Sequence, residues 1–63
     1  MIVRAFDVHQ DIEKARLGVG LAAEALGIKC NMALQTMWKV DVDGPSDLAA
    51  FLEIAREYAN ANH

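Results

Sequence analysis

Several features that stabilise or localise small proteins are scarce or missing in this chain. Cys30 is the only cysteine, so no disulfide can form within the chain, and no short Cys/His spacing matches a zinc site. No apolar run approaches the roughly 18 residues of a membrane-spanning helix. The first seven residues lack the basic and apolar segments of a signal peptide. We therefore expect a cytoplasmic protein with no membrane partner.

Positively charged residues are also few. Six lysines and arginines stand against nine aspartates and glutamates, for a net charge of −3. Residues 1–31 are balanced, and the whole acidic excess falls in residues 32–63. Because binding to a phosphate backbone requires the opposite sign, direct binding of nucleic acid is disfavoured.

The chain is short for its apolar content. It has 63 residues, of which 54% are apolar. A chain of this size forms one domain, residues 1–63, and buries only roughly 60% of the surface that its unfolded form exposes. Since disulfides and zinc are excluded as stabilisers, self-association or a partner remains, and we expect a homodimer or higher oligomer.

The middle of the chain alternates between apolar and polar residues. A period of two predicts half-buried β-structure with the even-numbered side chains turned inward. A single strand of about 16 residues would extend roughly 53 Å, too long for a domain with a radius of gyration of about 11 Å. A hairpin is therefore favoured, with an odd-length loop or a bulge near 33–35 to keep the parity. A long or bent strand shared across a dimer is the alternative. The inward residues are Ile28, Cys30, Met32, Leu34, Trp38, Val40 and Val42.

Two helices flank this region, and a short β-rich run, residues 2–8, precedes them. The first helix is predicted over residues 10–26, with Asp11 and Glu13 at its positive end and Gly27 just after its last turn. The predicted sheet-facing stripe consists of Ile12, Val19, Ala23 and Leu26.

Leu17 and Leu21 lie nearly opposite that stripe. They are covered either by the second helix of the same chain or by a helix of a second copy. The second helix begins near Pro45, and residues 59–63 are expected to form a frayed tail. Its apolar face consists of Leu48, Phe51, Leu52, Ala55, Tyr58 and Ala59.

The order of these elements, β-α-β(β)-α, predicts a two-layer α+β fold. A helix between two strands favours a right-handed crossover, which places both helices on one face of a small sheet. The layout resembles a ferredoxin-like split β-α-β unit without its last strand. The resemblance is one of layout only, because no motif accompanies it.

A glycine pair in the first helix formally matches a dinucleotide fingerprint. Residues 18–23 read G-x-G-x-x-A, and Asp41 follows about twenty residues later. The fingerprint requires a strand directly before its first glycine, whereas helix-forming residues precede Gly18. Close helix packing or a break in the helix is the favoured interpretation, and we expect no cofactor.

The remaining candidates for chemistry also have simpler explanations. His9 lies between Asp7 and Asp11 at a strand-to-helix junction, where such residues commonly cap helices. Cys30 has the buried parity and is expected to act as a small hydrophobic residue. Trp38 and Met32 are assigned to the core. With no catalytic or metal-binding residues identified, we expect the protein not to be an enzyme.

The acidic second half carries the functional prediction. Asp41 and Asp43 share one strand face, and Glu53 and Glu57 stand four residues apart on the last helix, a spacing at which like charges repel. Such a face is either simply solvated or contacts a basic partner. We predict that these four residues bind the partner. The predicted self-association residues are Leu17, Gly18, Leu21 and Met37.

The sequence therefore predicts a small, non-enzymatic protein-binding module of the inhibitor or regulator type. It would occlude a macromolecular partner through its acidic face, as a homodimer. Very small acidic proteins without active sites often act as inhibitors or adaptors, including ones encoded by phages and plasmids. The alternatives are a regulatory module that senses a small molecule at a dimer cleft, and a structural subunit of a larger assembly.

Overall fold

Two long helices cover one face of a three-stranded sheet in the computed structural model, which describes residues 1–61. This is the predicted α+β architecture, although it contains one short helix that the sequence did not indicate. The elements are β1 (Ile2–Arg4), α1 (Ala5–Val8), α2 (Ile12–Leu26), β2 (Cys30–Leu34), β3 (Met37–Val40) and α3 (Pro45–Ala61).

The strand order is β1-β3-β2, and both outer strands run antiparallel to β3. The two outer strands are therefore parallel to each other, with β3 between them and α2 in the connection. This is a split β-α-β arrangement, so the predicted ferredoxin-like layout without a final strand is confirmed.

A hairpin joins β2 and β3 through the two-residue turn at 35–36. Leu34 pairs with Met37 across the turn, while Met32 pairs with Trp38, so that Ala33 forms a bulge. The predicted hairpin and its parity-keeping bulge are both confirmed.

The bulge also explains where the predicted burial pattern is wrong. Trp38 and Val40 are buried on the inner face of the sheet, as expected, at 4% and 2% exposure. Beyond the bulge, Leu34 is turned to the outer face and is 62% exposed. Met32 is on the inner face, but its strand forms the edge of the sheet, and it remains 50% exposed.

The sheet has one covered face and one open face. Val3, Trp38 and Val40 point inward and belong to the core that both long helices complete. Ile2 and Lys39, which are paired neighbours on the outer face, are exposed. Both helices therefore lie on one face of the sheet, as predicted.

The N-terminal β-rich run is shorter than predicted. It pairs with β3 only as far as Arg4, and residues 5–8 form the short helix α1. Ala5 and Val8, three residues apart, both reach the core, whereas Phe6 is 72% exposed. The Arg56 Nε atom donates a 2.7 Å hydrogen bond to the carbonyl oxygen of Asp7, which ties α1 to α3.

Capping groups define the ends of α2. The Asp11 carboxylate accepts hydrogen bonds from the backbone N–H groups of Glu13 and Lys14, so the helix begins two residues later than predicted. Gly27 ends it in the left-handed region, with a φ of 65°. Val19 and Ala23 of the predicted stripe are buried. Its two terminal members, Ile12 and Leu26, are 37% and 43% exposed.

The contact between α2 and α3 is made by small residues. Ala15, Gly18 and Ala22 of α2 are buried. A Cβ atom at Gly18 would overlap the carbonyl oxygen of Ala55 and lie 3.0 Å from the Cβ of Ala59. Because α3 approaches this strip, it does not cover the leucine face of α2.

Leu17 is consequently 45% exposed, and Leu21 is half-buried. The expectation that α3 covers both leucines is therefore wrong for Leu17. The apolar face predicted for α3 does pack into the core. Phe51, Ala55 and Ala59 are fully buried there.

The C-terminal helix is longer than the sequence suggested. It continues through Ala61, and Ala59 has no exposed surface, so the predicted fraying from residue 59 is wrong for residues 59–61. Burial of Ala59 against α2 holds this last turn in place. The rest of the predicted tail, residues 62 and 63, lies outside the described residues.

Candidate functional site

Three aspartates line an apolar groove where α2 ends, β3 ends and α3 begins. The groove has a volume of about 280 Å³. Leu26, Ile28 and Val42 supply its large apolar side chains. We call it the acidic groove, and its lining consists of Leu26, Ile28, Asp41, Val42, Asp43, Asp47 and Ala50.

The local chain path brings these carboxylates together. The Asp41 N–H group donates a 2.9 Å hydrogen bond to the carbonyl oxygen of Lys29, which extends the β2–β3 pairing by one residue. The chain then turns into α3, whose first turn is closed by a 3.0 Å bond from the Leu48 N–H group to the Gly44 carbonyl oxygen. Asp47 stands in that first turn, where the helix dipole favours a negative charge.

Two of the four predicted partner-binding residues line the acidic groove. Asp41 and Asp43 do so, whereas Glu53 and Glu57 are exposed farther along α3 and do not. Asp47 was missed by the sequence analysis. The start of the helix at Pro45 was the available signal, because it puts residue 47 in the first turn, beside the loop that carries Asp43.

The aspartates of the acidic groove form no ion pair, although Asp41 also lines a shallow pocket with Lys29 and Lys39. Within residues 1–61 the one ion pair joins Arg4 and Asp7, whose Nε and Oδ2 atoms are 3.3 Å apart. None of the groove carboxylates, nor those of Glu53 and Glu57, has a cationic partner in that part of the chain. A groove that combines carboxylates with an apolar floor suits lysine and arginine, which have aliphatic stems and charged ends.

The His9 cluster has structural roles. The Asp11 N–H group donates a 2.9 Å hydrogen bond to His9 Nδ1, while the Asp11 carboxylate caps α2. Asp7 pairs with Arg4 instead. Among the described residues, no three His, Cys, Asp or Glu side chains are grouped so that they could hold a metal ion.

The glycine pair lies in the interior of α2. Six residues of helix, beginning at Ile12, precede Gly18, and Gly18 is buried against α3. The strand-to-helix turn that receives a pyrophosphate is therefore missing at this position. Close packing of helices, the simpler interpretation, explains Gly18.

A second groove lies between α2 and the outermost strand β2, with a volume of about 320 Å³. Cys30 is half-buried in it, and this burial raises the pKa of the Cys30 thiol. A thiol held protonated at neutral pH is a poor nucleophile, as expected for a structural cysteine. We call this the edge groove, and its lining consists of Arg16, Val19, Gly20, Ala23, Ile28, Cys30, Met32 and Trp38.

The predicted self-association residues do not form one surface. Leu17 and Leu21 are on α2, whereas Met37 is half-buried on the outer face of the sheet, away from both long helices. Gly18 is in contact with α3 of its own chain, so it cannot also contact a second copy. That assignment for Gly18 is wrong, since the strip of small residues is used within the chain.

Comparisons of this chain with known protein families, with curated protein sequences and with solved structures found no match. None of the described helices has both the length and the apolar character needed to cross a membrane.

Proposed function

We propose that this protein is a small, non-enzymatic protein-binding module of the inhibitor or regulator type, which occludes a partner with a basic surface. The observation that carries the proposal is the acidic groove. Its three aspartates form no ion pair within residues 1–61, and they line the groove together with Leu26, Ile28 and Val42. A protein partner that inserts lysine or arginine side chains would satisfy both features.

Glu53 and Glu57 extend this acidic surface along the exposed side of α3. Charges at the rim of an interface mainly accelerate association and select partners of opposite sign. We therefore assign the main binding energy to the acidic groove, and electrostatic steering to the two glutamates.

The proposed active form is a homodimer. Eight large apolar side chains are exposed on the described part of the chain. Removal of apolar surface from water favours association. A dimer would cover part of it and leave the acidic groove of each copy open.

The experiment compares two charge reversals in a quantitative capture from an extract of the source organism. Asp47→Lys alters the acidic groove, and Glu13→Lys is the matched control, because each reverses an exposed carboxylate in the first turn of a helix. We expect capture of a basic protein by the unaltered chain, a loss of about tenfold or more with Asp47→Lys, and little change with Glu13→Lys.

Equal capture by the two variants would contradict the proposal, as would the absence of any captured protein with a basic surface. Added salt provides a second readout. Capture through the acidic groove should weaken with rising ionic strength, since exposed charges are screened.

A further inference from the structure

We propose that a second copy of the chain docks antiparallel against the α2–β2 side, with Gly20 at the helix crossing and Arg16 facing Glu24 of the second copy. In this dimer the two β2 strands pair and form one continuous six-stranded sheet. The inference deepens the homodimer of the proposed function by assigning it an interface, and it rests on that homodimer.

Gly20 is the first observation. It is exposed in the middle of α2, and a Cβ atom placed there would have no neighbour within 4 Å. Glycine is a poorer helix former than alanine, so Gly20 weakens α2 without a close contact within residues 1–61 that would explain it. Close approach of another helix would supply the reason, as α3 does for Gly18.

The charges beside Gly20 are the second observation. Arg16, Gly20 and Glu24 are spaced four residues apart, so they follow one exposed side of α2. Neither charged group has an ion-pair partner within residues 1–61. If a two-fold axis passes beside Gly20, each residue before Gly20 lies opposite a residue of the second copy. That residue follows Gly20 by the same number of positions. Arg16 then faces Glu24 of the second copy, and the pair occurs twice.

This symmetry identifies the occupant. A stripe with a positive end, a glycine and a negative end is complementary to its own antiparallel copy, as an interface related by a two-fold axis requires. Leu17, three residues before Gly20, is 45% exposed and adds apolar area beside the crossing.

The free edge of β2 is the third observation. Edge strands are usually protected by charged residues or proline, and Cys30–Leu34 contains neither. The Lys29 carbonyl group faces β3, where it accepts from Asp41. Because backbone direction alternates along a strand, the N–H and C=O groups of Cys30 and Met32 point to the open side. An antiparallel β2 strand would bond with them and cover Met32.

The helix contact and the strand contact are compatible. Arg16 and Gly20 line one wall of the edge groove, and Cys30 and Met32 line the other, so both surfaces face the same side. In this dimer the two-fold axis passes between the two β2 strands. A helix over β2 and β3 lies about one strand spacing from that axis, so the two α2 helices are about 10 Å apart. This is within the usual range for packed helices, about 8 to 10 Å.

The area that such an interface requires is a modest part of the chain's surface. A stable interface buries about 600 to 1000 Å² on each partner. That is between about a seventh and a quarter of the 4167 Å² that this chain exposes.

The test is sedimentation equilibrium of the full chain at low ionic strength, over micromolar to millimolar concentrations. Arg16→Glu and Glu24→Arg should each raise the dimer dissociation constant about tenfold, because each places like charges opposite one another. The double variant Arg16→Glu/Glu24→Arg restores opposite charges and should return the constant close to its original value.

A second variant tests the crossing itself. Gly20→Leu fills open space in the monomer but blocks the approach of the helices, so it should abolish the dimer. Ala49→Leu, on the exposed side of α3, is the control and should leave it unchanged. Circular dichroism checks that each variant keeps its helical content.

The proposal is overturned if Gly20→Leu dimerises as tightly as the unaltered chain, or if the double charge exchange does not restore the constant. In both cases a dimer remains, but through another surface. A chain that stays monomeric at millimolar concentration overturns both the interface and the homodimer. The capture experiment on Asp47 still tests the acidic groove separately.

Discussion

Gly18 and Gly20 lie two residues apart on α2 but on differently packed sides of the helix. At Gly18, α3 is so close that a Cβ atom would overlap the backbone of Ala55. At Gly20 the same atom would meet open space. The Gly18 side is closed by the chain's own core, and the Gly20 side borders the edge groove and the unpaired edge of the sheet.

This contrast shows that one residue type in one helix can have two unrelated causes. The glycine on the closed side is explained by packing within the chain. The glycine on the open side has no such contact within the chain, which is why we propose a second copy there. Substitutions that enlarge a side chain should therefore destabilise the monomer on the closed side and should not do so on the open side.

The largest expected difference is between a core and a surface truncation. Phe51→Ala, at a fully buried position of α3, should cost about 3 to 5 kcal/mol. This is comparable to the whole stability expected for such a chain, roughly 3 to 9 kcal/mol. Leu34→Ala, at a 62% exposed position, should change the stability by no more than about 0.5 kcal/mol.

Urea denaturation followed by circular dichroism, at a concentration that keeps the chain monomeric, measures both variants. A folded Phe51→Ala variant of unchanged stability would show that the core described here does not hold the fold together.

The two glycines give a smaller effect with opposite signs. Gly18→Ala forces a methyl group against α3, which should cost about 1 to 3 kcal/mol through overpacking. Gly20→Ala improves helix propensity with no clash and should stabilise the monomer by about 1 kcal/mol. The same urea titration compares them. Equal effects of the same sign at both positions would remove the contrast between the two sides.

The smallest effect concerns the reactivity of Cys30 in the edge groove. Because burial raises the pKa of its thiol, less thiolate is present near pH 8 in the folded chain than in the unfolded chain. Alkylation by iodoacetamide should be slower in the folded chain and should accelerate only at higher pH. The urea-unfolded chain is the control, with an ordinary thiol pKa of about 8.5. A faster reaction in the folded chain would contradict this assignment.

The sequence predicted those features that depend on local periodicity. Alternation favoured the β2–β3 hairpin with either an odd-length loop or a bulge near 33–35, and capping residues placed both ends of α2 within two positions. Residues whose environment depends on the bulge or on the sheet edge were not predictable in this way. Leu34 and Met32 both occupy even-numbered positions, for which burial was predicted. Leu34 lies beyond the bulge, and Met32 is on β2, an edge strand of the sheet.

Small-residue patterns have a similar limit. The glycine pair indicated close helix packing or a break in α2, but a pattern cannot distinguish α3 of the same chain from a helix of another copy. The candidate site was predicted only in part, because a sequence pattern does not show which separate segments the fold brings together. Asp41 and Asp43 were identified from their charge, whereas Asp47 joins them only through the path of the chain into α3.

The central position of β3 sets the order in which the molecule can be assembled during synthesis. β1 pairs with β3 and not with β2, the next strand along the chain. A growing polypeptide therefore carries its first strand without a pairing strand until residues 37–40 have been made. The same holds for β2, so neither outer strand can pair within the sheet before β3 exists.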